Sequence, residues 1–503
     1  MLKNKPEQLG RSDFLKRIIV VAVCLFIPIS TMITVSAGSN FEEYNYSTTG
    51  EAVPAPKTYE PTAVYYGNEE TDLKFSAPQD IATDNDGNLY LLDPGNDRLM
   101  IYDVDFRLKS VISFPEIGGK QISFTGCSSL FVTEDSIYIS DKENGLIYVL
   151  SRDGRGKRTI TFTPQAVVDS DFVFKPMHIT VDEAGIIQVQ AEGCYNGLIT
   201  LDADGKMIGY YSANSIQTSL SVLASQFWKN IFSQEQQDSM KQTIPVEYSS
   251  VTMDSNGFIY TTTKKTENST FEIKKLNPYG ENILGYDDTY SSVKTGNGDY
   301  GDLRTLYSEG KNIDTTFEDI YVDSEDFIFA LDTARGRVFQ YDQNSNLISV
   351  FGGIGDQMGT FALPGAVCGY GERIYVLDET KNSITVFEPT DYVRNIRKAL
   401  LLDSECDYSQ AVKYWEQVYQ ANSNCFLALS GLGKAAYENG EIAKAMNYFR
   451  LADDRTNYDI AYTAYRTQFI REHFVLIAAV VIVPVIAVIL LLNYAKKKEK
   501  RDE

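Results

Sequence analysis

Residues 77–102, APQDIATDNDGNLYLLDPGNDRLMIY, pack three short runs of aliphatic, aromatic and β-branched residues into one segment. Asn85-Asp86-Gly87 joins the first two runs, a tight acidic turn of the kind that lets antiparallel strands double back. Asp93 ends the second run, where its carboxylate can accept backbone N–H groups and start the next turn. The segment therefore predicts a meander of antiparallel strands.

The same outline returns at residues 317–341 (FEDIYVDSEDFIFALDTARGRVFQY) and 363–387 (LPGAVCGYGERIYVLDETKNSITVF). Weaker copies occupy residues 128–150, 176–201 and 249–276, the last with a Ser255-Asn256-Gly257 turn. Asp141, Asp332 and Asp378 repeat the position of Asp93, and a turn-forming role accounts for all four. The residues centred in the second run, Tyr90, Tyr138, Gln188, Tyr260, Phe329 and Tyr375, lie 48, 50, 72, 69 and 46 apart. Six units of four strands fit this spacing, and the two long intervals hold insertions. One insertion, residues 218–240, has helical spacing in SLSVLASQFWKNIF. A single such sheet cannot bury both faces, whereas six set radially bury each against the next, so the expected fold is all-β, a six-bladed propeller. The last copy lacks a fourth strand; TAVYYG at residues 62–67 is a lone strand-like run that would supply it and hide an edge.

PQDIATDNDGNLYLLDPGNDRLMIYD resembles the NHL repeat, whose members form six-bladed propellers. The match is good in the first and fifth copies, moderate in the sixth and weak elsewhere. The resemblance covers residues 62–390 of a propeller domain expected at residues 61–390, and it implies a fold far more firmly than a function, since members range from scaffolds to lyases and lactonase relatives.

From residue 391 the alternation of strands gives way to helical spacing. Leu432, Gly433, Ala436, Gly440, Ile442, Ala445, Phe449 and Ala452 resemble a tetratricopeptide (TPR) repeat, with small residues where its two helices touch. Tyr408, Ala411 and Trp415 stand 34 residues before Ile442, Ala445 and Phe449, as a degraded second copy. Residues 391–473 are thus expected to form a small TPR-like all-α module, either a partner-docking surface or a rigid stalk.

Residues 474–492 carry no charge over 19 positions, enough for one transmembrane helix across a hydrocarbon core of roughly 30 Å. Lys496, Lys497, Lys498, Lys500 and Arg501 follow, and basic clusters of this kind stay in the cytoplasm, so residues 493–503 are expected inside the cell and the propeller outside it. Residues 18–35 form an apolar run behind Lys3, Lys5, Arg11, Lys16 and Arg17, and Val35-Ser36-Ala37 suits signal peptidase. Residues 1–37 read as a signal peptide or an uncleaved anchor, and residues 38–60, with Pro54 and Pro56, as a linker.

The net charge is −22; residues 1–37 hold +3 and residues 493–503 hold +2, which leaves −27 between them. Such an acidic segment repels nucleic acid and anionic lipid. Five cysteines outside the signal follow no CxxC or metal-ligand spacing and read as buried apolar side chains. No nucleophile elbow, phosphate loop or HExxH stands out, and a Gly352-Gly353-Ile354-Gly355 run precedes no helical pattern.

Propellers bind ligands where their innermost strands enter the central channel. Alignment of the copies places Asp80, His178, Ser250 and Asp319 on one ring, with Ala366 equivalent in the sixth copy and Ser128 or Ser129 in the second. Two carboxylates and an imidazole converging there would hold a cation, calcium first, or polarise a water, or simply line a wet channel. With only His178 and His473 in the chain, histidine-rich catalysis is excluded. The expected function is a membrane-anchored extracytoplasmic binding or scaffold protein, recognising a glycan, a peptide or a membrane-protein partner such as a transporter or envelope assembly. The alternative is a lactonase- or lyase-type enzyme with a metal-assisted site at the channel.

Overall fold

A computed structural model describes residues 43–47, 50–68, 73–166, 168, 171–212, 246–265, 271–284, 300–304, 306–308 and 310–502. The expected signal segment and the helical insertion at residues 218–240 lie outside the described residues.

The repeats fold as six antiparallel sheets arranged as propeller blades. Blade 1 contains Asp80–Thr83, Leu89–Asp93, Arg98–Tyr102 and Leu108–Ser113. Blades 2, 3 and 5 repeat the four-stranded meander from Cys127–Val132, Pro176–Val181 and Phe317–Val322. Blade 4 has three strands among the described residues, Tyr248–Met253, Ile259–Thr263 and Ile273–Leu276, where a fourth was expected. Apolar side chains fill the space between neighbouring blades: Leu99, Ile101, Ile137 and Ile139 between blades 1 and 2, for instance, are buried in one cluster.

Turn chemistry fixes each meander. Asp84 Oδ1 accepts the N–H groups of Asp86 (2.9 Å) and Asn88 (2.8 Å), and Gly87 takes a φ of +80° that a side chain would strain. Asp254, Asp323 and Asp342 do the same in later turns. The aspartates that end the second strands also act locally: Asp93 Oδ1 accepts Ser76 N (2.8 Å), and Asp378 accepts Ala362, Thr380 and Lys381 N–H groups.

Blade 6 comprises Pro364–Tyr370, Arg373–Asp378, Ser383–Pro389 and, from the other end of the chain, Tyr59–Tyr65. The closing strand begins three residues before the run expected from sequence and pairs Tyr59 with Pro389 and Tyr65 with Ile384. Pro61 is accommodated because the register slips between it and Ala63 and because this strand is the outermost of its sheet.

The expectation of a plain linker needs correction over its described part. Tyr44–Tyr46 and Ala52–Pro54 form a hairpin beside the outer strand of blade 5. The tyrosine hydroxyls of Tyr44 and Tyr46 both donate to Asp302, which also takes Arg335 and Arg337. Pro54 does not prevent pairing because it stands at the end of its strand. Glu43 anchors the hairpin, its Oε2 accepting both Thr58 N–H and Thr58 Oγ1–H.

Five helices follow: α1 Asp391–Ser404, α2 Tyr408–Ala421, α3 Phe426–Glu438, α4 Ile442–Leu451 and α5 Arg455–Asp502. The small residues lie at tight helix contacts. A Cβ on Gly431 would stand 2.1 Å from Trp415 Nε1, and one on Gly433 2.4 Å from a Phe449 ring carbon. Helix α5 passes without interruption from the helical module through Pro484 and the uncharged run, which would span about 28 Å as a helix. It is a candidate membrane anchor by length and composition.

The helices are fastened to the propeller through Thr390, through Arg397 and through Arg394, whose Nε lies 2.9 Å from Glu372 Oε2 of blade 6. Thr390, just before α1, donates its N–H to Thr58 O (2.8 Å) and its hydroxyl to Lys57 O (2.7 Å). Arg397 on α1 enters a blade-5 turn, where Nη2 meets Asp323 Oδ2 (2.7 Å) and Glu325 Oε2 (2.6 Å) and the guanidinium lies over the Phe327 ring.

Two outcomes follow from these fastenings. Arg397→Met leaves the Asp323 carboxylate buried without its cation and is expected to cost about 3–5 kcal/mol, read as a lower denaturation midpoint of the full chain in detergent. Burial pushes the Glu43 carboxyl from 4.5 up to about 8, against the pull of Thr58. A carboxyl raised in the folded state favours folding fully below its unfolded pKa and loses that contribution as pH rises through its folded one. Proteolytic protection of residues 43–54 should therefore fall as pH climbs from 4.5 towards about 8, and Glu43→Gln should flatten that dependence.

Candidate functional site

The strand register brings the expected channel residues to one level. Asp80, Ser129, His178, Ser250, Asp319 and Ala366 face Leu92, Ser140, Gln190, Thr262, Leu331 and Leu377 on their second strands. This settles the second copy in favour of Ser129. In blades 2 to 6 the register slips between the first strand residue and the ring residue, so a bulge sits beside the ring each time. Bulged residues reach the neighbouring blade: Ser128 Oγ donates to Pro176 O (3.0 Å) and Ser249 Oγ to Phe317 O (2.6 Å).

The ring carboxylates are engaged in the same stitching. Asp80 Oδ2 accepts Leu130 N–H of blade 2 (2.7 Å), while Oδ1 accepts Ile81 N–H (2.8 Å). Asp319 Oδ2 accepts Val367 N–H of blade 6 (2.8 Å), and Oδ1 takes the Ser250 hydroxyl of blade 4 (2.9 Å). Asp80, Ser250 and Asp319 are buried, and His178 is half-buried. Burial pushes Asp80 well above the usual carboxylate range, and the Asp319 charge adds to the rise. Burial raises Asp319 as well, opposed by His178 and by its hydrogen bonds. Asp319 thus acts on Asp80, and His178 acts on Asp319, across the blades.

The ring fits a resident calcium ion poorly. Calcium takes six to eight oxygen ligands, whereas every oxygen of the two carboxylates already accepts a hydrogen bond. Among the described residues no three His, Cys, Asp or Glu side chains come together as a metal-ligating group.

A cleft of about 640 Å³ opens elsewhere, between the helical module and blade 5. Its helical side includes Leu401, Asp403, Trp415, Ser430 and Lys434, and the blade side includes the turns around Asp326 and Asp342. The hairpin supplies Asn45, Tyr46 and Ser47 as a third wall. That volume lies in the range of small-molecule and side-chain pockets. Burial raises the Asp403 carboxyl, against the pull of the Lys434 ammonium (3.4 Å) and the Trp415 indole. The sequence predicts a helical module here, as a docking surface or a stalk, but not the blade-5 and hairpin walls. The acidic turns of blade 5 repeat those of other blades, so nothing local distinguishes them; contacts such as Arg397 with Asp323 and Glu325 bring them opposite the helices.

No protein-family profile and no curated protein matches the sequence. Solved structures that resemble it include virginiamycin B lyase from Staphylococcus aureus, at 14% identity over 66% of this chain and 99% of that chain, with a TM-score of 0.39. A streptogramin B lyase is 15% identical over 66% of this chain and 87% of its own, with a TM-score of 0.36. BamB from Moraxella catarrhalis is 8% identical over 70% and 99%, with a TM-score of 0.31. Scores this low carry no argument about function. The six-bladed architecture stands on the strand pairing of this chain itself.

If the ring carboxylates act as inter-blade stitches, Asp80→Ala and Asp319→Ala each strand a buried N–H and should cost about 1–3 kcal/mol in denaturant unfolding. His178→Ala, at a half-buried position, should cost less than either.

Proposed function

We propose that this chain is a membrane-anchored extracytoplasmic binding protein, in which an NHL-like propeller and a TPR-like module together present a recognition surface for a peptide, a glycan or a membrane-protein partner. The observation that carries this reading is the continuity of α5, which belongs to the helical module at its start and becomes the uncharged span without a break. The module is in turn bolted to blade 5 through Arg397, so the anchor and the propeller are mechanically one piece. The basic residues after the span support a tail in the cytoplasm and a propeller outside. A signal segment at residues 1–37 agrees with that orientation.

A rigid mount of this kind suits recognition at a fixed height above the bilayer. The acidic surface favours neutral or cationic ligands. The ring of Asp80, His178, Ser250 and Asp319 supports the alternative, a lactonase- or lyase-type enzyme at the channel, through its two raised carboxyls; its engaged oxygens weigh against a metal-assisted version.

The test is made in native membranes with the full chain. Protease added outside intact cells should remove the propeller and spare a C-terminal tag. Photo-crosslinking from residues around the cleft should capture a discrete membrane or secreted protein, and crosslinking from blades 1 and 2 should not. A propeller protected from external protease would overturn the reading.

A further inference from the structure

We propose that the cleft between blade 5 and the helical module binds a lysine- or arginine-bearing extended peptide segment of a partner protein. The inference deepens the binding-protein reading and rests on it.

The cleft is lined by six carboxylates, Glu325, Asp326, Asp342, Asp403, Asp453 and Asp454, and one lysine, Lys434. Several of these are partly satisfied. Glu325 meets Arg397 (2.6 Å), Asp453 meets Arg455 (3.6 Å), and Asp342 and Asp454 accept N–H groups of their own turns. A surplus of negative charge remains, since among the described residues Lys434 is the one cation lining the cleft, with Lys275 acting on Asp326 from outside the lining. Burial raises Asp326, Asp342 and Asp403 alike, so an arriving cation would stabilise groups that are now desolvated without full compensation.

A second observation is independent of charge. Asp403 has a side chain 7% exposed, and its Oδ2 lies 3.4 Å from Lys434. Its Oδ1 and the Trp415 indole Nε1 have each other as polar neighbours, the indole lowering the Asp403 pKa, but neither makes a well-formed hydrogen bond. A buried acceptor and a buried donor thus stand side by side on the cleft wall, each in poor geometry for the other. An unmade buried hydrogen bond costs about 1–3 kcal/mol, so the site is built to accept a partner. A lysine or arginine side chain suits the acceptor, and a peptide carbonyl suits the indole N–H; a peptide bearing a basic side chain offers both. A free polyamine offers only the first.

Trp415 also supplies the signal for the test. The full chain in detergent, carrying Trp228→Phe so that Trp415 is the remaining tryptophan, is titrated with an alternating Lys-Ala peptide, an alternating Glu-Ala peptide of equal length and spermidine. The Lys-Ala peptide should change Trp415 emission saturably, and the Glu-Ala peptide should not. The double variant Asp326→Asn, Asp403→Asn should weaken binding at least tenfold; both changes are nearly isosteric, and asparagine tolerates the positive φ of 64° at residue 326. Ser404→Trp, exposed on the cleft lip, should block the peptide without removing a carboxylate. Asp105→Asn on blade 1 should change nothing. Equal affinity in all variants, or spermidine binding as tightly as the peptide, would overturn the inference. Capture of a partner by crosslinking alongside such a result would leave the binding-protein reading standing and remove only this site.

Discussion

The structure hangs on the closure of a ring. Tyr59–Tyr65 crosses more than three hundred residues of sequence to pair with Ser383–Pro389, and without it blade 6 would end in an open edge while the two ends of the propeller parted. The same pairing sets everything outside the ring. It carries Lys57 and Thr58 to the point where Thr390 begins the first helix, and it brings the hairpin with Tyr44 and Tyr46 to the flank of blade 5. Tyr59 itself stacks on Phe351 and meets Phe329 edge-on, so the closing strand also fills the space between blades 5 and 6.

Within the ring the blades are joined by two kinds of force acting at different radii. Apolar clusters between sheets supply bulk stabilisation, which has no direction and would tolerate sliding. Near the axis, hydrogen bonds from Asp80, Ser128, Ser249, Ser250 and Asp319 cross from blade to blade and fix the register. Polar residues at the channel therefore have a structural occupation before any ligand is considered, and their raised carboxyls follow from burial close to one another.

The charge of the molecule is handled differently at its edge. Arg397 and the Tyr44, Tyr46, Asp302, Arg335 and Arg337 cluster pair their charges in partly or fully buried sites, each joining elements far apart in the chain. Between these two fastenings lies the cleft, where carboxylates outnumber cations. Fixed walls and only partly compensated charge suit a preorganised recognition site, since little ordering is left to be done on binding.

Much of this was written locally. The turn aspartates and glycines, the alternation of apolar residues and the copy spacing determine six meanders, and the lone run ahead of the first copy predicts how the ring closes, because each depends on contacts a few residues apart or on a missing strand. The helix boundaries and the uncharged span are equally local, and the alignment of Asp80, His178, Ser250 and Asp319 follows from counting along strands. What only the tertiary structure decided is which groups those residues meet. Counting cannot show that Asp80 and Asp319 each spend one carboxylate oxygen on an N–H group of the next blade, because which N–H group faces them depends on how neighbouring sheets pack. Nor can it show that Tyr44–Tyr46 and Ala52–Pro54 pair as a docked hairpin, since Tyr44 finds its partner Asp302 258 positions away. The cleft is the clearest case: its walls come from a hairpin, two propeller turns and four helices, and only contacts between residues far apart in sequence make them neighbours.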